Sequence, residues 1–301
     1  MRAQMKKRQR TRRMTMLATV LIIAVSLGAG VYLLATSGQP SGILSYINKP
    51  VSSADMAALA AASGQPYGPA PPPAMQNAIQ SYGGTPFVSG GKPTVVYIGE
   101  DSCPYCAIER WALVVALMRF GSFTGLQYMA SAPSDVGPGN YATFTFVGSS
   151  YTSKYIAFRG YEVADRSGNP LQSVPSNYSA AWQAKTGGGV PFMNFGNIYL
   201  STGSILPDPT ILTGKNWTSI ITEISSYQST GVAIREGANL ITAVICKLTQ
   251  GAPLSICSAS PISSVTSSIS GPVGTGLTVA GPFSPAAVNQ AAVRPFLKRL
   301  G

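Results

Sequence analysis

The sequence predicts an α/β domain, a sheet with helices on its faces, set behind a single N-terminal apolar span. Three observations carry that reading. Short β-branched and aromatic runs alternate with longer helix-like segments, which argues for strands separated by helices. One uncharged stretch near the start has the length of a bilayer crossing. The 301 residues, 45% of them hydrophobic, suffice for a sizeable core.

The first thirteen residues carry Arg2, Lys6, Lys7, Arg8, Arg10, Arg12 and Arg13, seven positive charges in a chain of net charge +11. Met14 to Thr36 follows with no charged residue, 23 positions against the roughly 20 that cross a bilayer. Positive residues stay on the cytoplasmic side. Residues 1–13 are therefore expected as a basic cytoplasmic tail, 14–36 as a transmembrane helix in the lipid bilayer, and the remainder as extracytoplasmic, so that the protein is single-pass at the cell membrane. A cleaved signal peptide has a shorter apolar core of about 7–15 residues, which favours an uncleaved anchor. Met14-Thr15-Met16 matches a twin-arginine signal after Arg12-Arg13 poorly. With seven charges so placed, about +4 remains, without a basic stripe interleaved with aromatics, and nucleic acid is not an expected partner.

Ser37 to Gly91 is mixed, with a short alanine-rich helix candidate at Ser53–Ala62 and a polyproline stretch at Pro69–Pro73. Residues 37–91 read as a stalk or linker, part of which could instead add a strand to the domain edge. The domain is expected over 92–257. It opens with a strand at Thr94–Gly99 and a helix at Ala107–Arg119, then strands at Leu126–Ala130 and Tyr141–Val147, the latter alternating through Phe144 and Phe146. Helices are expected at Asn177–Thr186 and Asn216–Tyr227, and Ala238–Leu248 is an apolar, helix-like C-terminal extension. Residues 258–301, largely Ser/Gly/Pro-rich, read as a solvated tail, with a fold-back of Pro282–Leu300 left open.

Cys103-Pro104-Tyr105-Cys106 sits where the first strand turns into the helix. There Cys103 lies near the positive end of the helix dipole and close to unpaired backbone N–H groups, which favour its thiolate. Cys106, one turn on, is placed to attack a mixed disulfide on Cys103, release the partner and close a Cys103–Cys106 disulfide. This is the geometry of a thiol–disulfide oxidoreductase. The same spacing supplies half of a zinc site, but the chain has no histidine, and Cys246 and Cys257 lie in another segment at wide spacing, so no metal is expected. The lack of histidine also excludes Cys-His protease chemistry and leaves any proton relay to carboxylates, water or backbone. Tyr105, at the exposed turn with Pro104, is a candidate for substrate contact. Trp111 reads as core, and Asp101 as capping or preceding the helix. Cys246 and Cys257 flank a Gly/Pro turn and suit a structural disulfide in an oxidising compartment. The sequons at Asn177 and Asn216 are compatible with export.

Strand, CPYC, helix and, far downstream, Gly187-Gly188-Gly189-Val190-Pro191 leading into Phe192-Met193-Asn194-Phe195 together resemble the thioredoxin superfamily over roughly residues 92–227. The Pro-Tyr dipeptide is similar to glutaredoxins, and the extracytoplasmic setting to DsbA-type oxidases. Residues 103–113, 150–156, 191–197 and 245–249 further resemble an archaeal family of membrane-anchored thioredoxin-like proteins designated a domain of unknown function, family 929. The resemblance implies a thioredoxin-like fold, a central mixed sheet flanked by helices. It also implies that Pro191 is a cis-proline packed beside the CxxC, with Val190 offering backbone to a bound peptide. A buried acid beneath the CxxC, Glu109 or Glu100, would accept the proton of Cys106. Read from the residues alone, Glu109 and Arg110 are instead surface or ion-paired residues of an amphipathic helix, and that reading is favoured.

The function expected is a membrane-anchored extracytoplasmic thiol–disulfide oxidoreductase acting on exported proteins that carry thiols or disulfides. It leans toward oxidase or isomerase work, needs no bound cofactor, and turns over through a membrane redox partner such as a quinone-linked protein. The alternatives are a non-catalytic binding or envelope protein whose Cys103–Cys106 disulfide is a permanent staple, and a reductase.

Overall fold

Thr94 to Ile98 places β-branched and aromatic side chains at consecutive positions, a pattern that calls for burial on both faces. In the computed structural model, which describes residues 42–133 and 136–271, strand β3 (Lys92–Gly99) has that burial: Val95, Val96, Tyr97 and Ile98 are fully enclosed. β8 (Ala157–Glu162) runs parallel along one edge of β3, from Thr94↔Ala157 to Gly99↔Glu162. β9 (Phe192–Phe195) runs antiparallel along the other, with Ile98 opposite Phe192. β10 (Tyr199–Ser201) and then β1 (Gln80–Ser81) extend the sheet beyond β9. β2 (Val88–Ser89) pairs with the start of β3 through Gly90-Gly91, both at positive φ, where glycine carries no steric penalty. Two smaller antiparallel pairs stand apart, β4 (Gly121–Thr124) with β7 (Ser150–Ser153) and β5 (Gln127–Ala130) with β6 (Ala142–Thr145).

Because side chains alternate across a strand, Val95 and Tyr97 enter one core and Val96 and Ile98 another. The first core lies under helices α1 (Ser53–Ser63), α2 (Pro104–Met118), α4 (Trp217–Ser226), α5 (Ser229–Leu248) and α6 (Ile262–Ser268). The second is closed by Trp182 of α3 (Ser176–Thr186), packed with Phe192 and Leu200. The result is a mixed α/β fold, a central mixed sheet flanked by helices.

Two segments expected as linker and tail are part of this fold. Within 37–91, α1 is capped by the Ser52 hydroxyl, which accepts the Asp55 N–H at 3.0 Å, and it buries Leu59 and Ala62. The end of α1 and the Pro/Gly-rich stretch after it are held by side chains of α5 and of the α2 C-cap, Arg119, that donate to their carbonyls. Arg235 donates to Ala62 at 2.8 Å and Pro66 at 2.9 Å, Asn239 to Pro69 at 2.7 Å, and Arg119 to Ser63 at 3.1 Å. A segment whose backbone groups are paired in this way is no solvated spacer. Within 258–301, α6 and its C-cap bury Ile262, Val265 and Ile269, an i, i+3, i+7 stripe that the surrounding serines and threonines mask in composition. The helix expected at Ala238–Leu248 is the second half of α5, and the strand expected at Tyr141–Val147 narrows to Ala142–Thr145. The expected basic tail, the span at 14–36 and residues 272–301 lie outside the described residues. Among the described residues no helix is long and apolar enough to cross a membrane.

Candidate functional site

β3 ends at Gly99, and Glu100 to Ser102 turn the chain into α2. Pro104 occupies the first helical position, where its missing N–H costs nothing. Cys103 is the N-cap, its Sγ accepting the Cys106 N–H at 3.2 Å, one of the donors that a first helical turn leaves unpaired. The cap is thus a sulfur, and Asp101 precedes the helix without capping it. The Cys106 thiol donates to Cys103 as well, and with that backbone N–H and the Arg110 charge it holds the Cys103 thiol below its ordinary range, against the effect of burial. Cys106 is fully buried, and burial pushes its thiol well up. The two sulfurs are free thiols of opposite character, one half-buried and thiolate-prone, the other enclosed and protonated. Tyr105, between them, is 37% exposed.

The register of β9 on β3 brings Val190 and Pro191 to the sheet end from which the CPYC turn departs. Their peptide bond is cis, Pro191 is buried and Val190 half-buried. On the β8 side lies a cleft of about 750 Å³, with Leu44, Asp101, Met129, Arg166 and Leu171 in its wall.

Below the turn, α2 is buried on every face from Cys106 to Leu117. It is therefore not amphipathic, and neither Glu109 nor Arg110 is a surface residue, both being 0% exposed; of the expected alternatives, Arg110 is the ion-paired one. The correction follows from packing, since β6, α1 and α5 enclose the helix together. Arg110 Nε and Nη2 donate to the two carboxylate oxygens of Glu162 at 2.9 and 2.6 Å, and Nη2 also to the Glu100 carbonyl at 2.6 Å. Asp101 lies 3.6 Å from the same guanidinium, and the Tyr97 ring centroid 5.8 Å. Glu109 faces elsewhere: its Oε2 accepts the Ser204 hydroxyl at 2.8 Å and the Ile205 N–H at 2.7 Å. Burial pushes Glu109 up to about 7. Glu162 is also pushed up to about 7 by burial, with the Arg110 charge opposing.

Sequence reasoning missed Glu162. It ends β8 in register with Gly99, and only the sheet pairing brings it within reach of Arg110. The sign that α2 is enclosed was present, because Glu109 and Arg110 are its only charged residues among fifteen. Gly99 has its own reason: a Cβ there would stand 2.1 Å from the Tyr97 hydroxyl, so only glycine lets that ring lie under the turn. Cys246 and Cys257, expected as a structural pair, are joined in a disulfide with Cα atoms 5.6 Å apart. Among the described residues no group of three or more Cys, Asp or Glu side chains is placed to hold a metal ion.

A half-buried, thiolate-prone sulfur capping a helix above an enclosed second thiol defines a dithiol site on a mixed α/β fold. Residues 79–186, from just before β1 to the end of α3, match the family model described as "Domain of unknown function (DUF929)". That segment includes the CPYC turn and Glu162 and stops short of Val190-Pro191. No curated protein and no solved structure matches the chain.

Proposed function

We propose that this chain is a thiol–disulfide oxidoreductase of thioredoxin-like fold, anchored in the cell membrane by residues 14–36 with its folded domain extracytoplasmic, acting on exported proteins. Cys103 is the nucleophile and Cys106 the resolving thiol. Pro104 and Tyr105 shape the turn that meets the client, and Val190-Pro191 is the platform against which a client peptide lies. The observation that carries the reading is the split between the two sulfurs. Cys103 caps α2 with a lowered thiol pKa, while Cys106, one turn on, is enclosed with a raised one. An exposed low-pKa sulfur is the one that attacks or is attacked, and a neighbouring buried thiol resolves the mixed disulfide. The fold reading is supported by the parallel β8 and antiparallel β9 on either side of β3, with Val190-Pro191 entering β9 beside the CPYC turn. The disulfide Cys246–Cys257 fits an oxidising exterior.

The test is an equilibrium redox titration of the full chain, scored by alkylation mass shift, for wild type, Cys103→Ser and Cys246→Ser. Exchange at a potential between about −120 and −230 mV, lost in Cys103→Ser and kept in Cys246→Ser, is expected. A Cys103–Cys106 pair that stays oxidised below about −300 mV is a structural staple, and the exchange reading falls.

A further inference from the structure

One buried cation, Arg110, lies below the CPYC turn between two carboxylates, and its effect on the two thiols bears on the direction of exchange. We propose that Arg110 is an electrostatic positioning residue that stabilises the reduced form of the Cys103–Cys106 pair, and that the substrates of this chain are therefore proteins bearing pairs of free thiols, which it oxidises. This rests on the exchange reading above and adds to it a direction and a substrate class.

Arg110 follows Cys106 by four residues and Cys103 by seven, so the three share one face of α2. Glu162 grips its Nε and Nη2, and the Glu100 carbonyl takes Nη2 a second time. Nη1 is buried and has no hydrogen-bond partner. An unmet cationic donor is costly to bury, and it gains when a negative charge forms beside it. The groups that face the guanidinium are Glu162 from β8, Asp101 and the Glu100 carbonyl from the turn and Tyr97 from β3, and its charge reaches Cys106 and the N-cap Cys103 of its own helix. Reduction and oxidation change covalent bonding only at the sulfurs. A thiolate exists only in the reduced pair, so a fixed cation lowers the energy of that state and leaves the disulfide nearly untouched. The Arg110 charge acts in this sense on both thiols. A dithiol whose reduced form is stabilised is an oxidant in its disulfide form.

In the oxidising step a client thiolate attacks Cys103 Sγ of the Cys103–Cys106 disulfide. That bond breaks, a client–Cys103 disulfide forms, and Cys106 leaves as a thiolate beside the Arg110 charge before taking up a proton. The second client thiolate attacks the client sulfur of the mixed disulfide, forming the client disulfide and releasing Cys103 as a thiolate. Two electrons pass from the client sulfurs to Cys103 and Cys106. Of the two client thiol protons, one ends on Cys106 and one in solvent. Each protein disulfide is consumed in making one client disulfide.

The test compares the full wild-type chain with the double variant Arg110→Met/Glu162→Met, which replaces the bidentate ion pair by apolar side chains and leaves Asp101 as the one buried carboxylate that faced Arg110. A second variant, Glu162→Gln, keeps Arg110 and removes its counter-charge. Two quantities are read: the Cys103 pKa, from thiolate ultraviolet absorbance against pH, and the thiol–disulfide equilibrium with glutathione. The Arg110 charge is one of the effects that lower the Cys103 pKa, so its loss raises that pKa. The double variant is expected to raise the Cys103 pKa and to shift the equilibrium about tenfold toward the disulfide, about 30 mV more reducing. Glu162→Gln is expected to move both quantities the opposite way, a pair of signs that a purely structural role would not produce. If either folded variant keeps the wild-type pKa and equilibrium, the role of Arg110 is overturned while the exchange reading stands. A wild-type pair that does not exchange with glutathione overturns the exchange reading and the proposal together.

Discussion

Glu109 is a buried acid with two hydrogen-bond donors at one oxygen, no partner at the other and no cation beside it. Its proton stays on in the folded chain up to about pH 7, whereas an ordinary glutamate releases it near 4.5. A group whose folded pKa is raised stabilises fully below its unfolded value and loses that contribution as pH rises through the folded one. Stability is therefore expected to fall between about pH 4.5 and pH 7, by on the order of 3 kcal/mol from this residue. Urea unfolding across that range checks it: Glu109→Gln should flatten the profile, leaving the smaller slope in the same direction that Glu162 supplies. A profile unchanged by Glu109→Gln assigns the dependence elsewhere. The same residue shows where sequence reasoning stops. Charge at position 109 is legible in the chain, but whether it meets water or the Ser204 loop is decided by long-range packing 95 residues away.

Among the elements, those around the CPYC turn were the most legible, because strand and helix periodicity, Pro104 at the first helical position and the Val-Pro step are local signals. The β-branched run at Thr94–Ile98 gave β3, and the apolar run after Cys106 gave α2. The segment from 42 to 91 was not legible, because its order comes from outside it. Arg235 on α5 donates from all three side-chain nitrogen groups, to Ile224 at 2.7 Å, Pro66 at 2.9 Å and Ala62 at 2.8 Å, and lies over the Tyr227 ring at 4.3 Å. No composition rule for the proline-rich stretch reports an arginine some 170 residues further on. Arg235→Ala strips the end of α1 of these partners and is expected to cost roughly 2–3 kcal/mol. Limited proteolysis should then cut between residues 53 and 70 well before the sheet, with exchange at Cys103 retained. Cleavage at the wild-type rate would mean that apolar contacts of Leu59 and Tyr67 suffice to hold the segment.

At the scale of the whole molecule, the two cysteine pairs differ in state, one joined as a disulfide and the other free. Cys246–Cys257 closes an eleven-residue separation between the end of α5 and the short helical segment Leu254–Cys257 that precedes α6. A bridge of that span stabilises by roughly 2–3 kcal/mol. Replacing both cysteines with serine is expected to lower unfolding stability by about that amount and to leave the Cys103–Cys106 equilibrium with glutathione unmoved. A shifted equilibrium would show that the C-terminal helices and the CPYC turn are mechanically linked. A further consequence follows from how α2 is held. Twelve consecutive residues, Cys106 to Leu117, are enclosed, so a partner molecule meets α2 at its tip and along none of its sides. Under the proposed exchange function, client preference can then drift through Glu100 to Tyr105, the Val190 step and the cleft wall, while the helix behind them is fixed by its neighbours. Selection for a new client in this scaffold should therefore write its record in the loops at one end of the sheet, and a library built to retarget the protein would spend its diversity there.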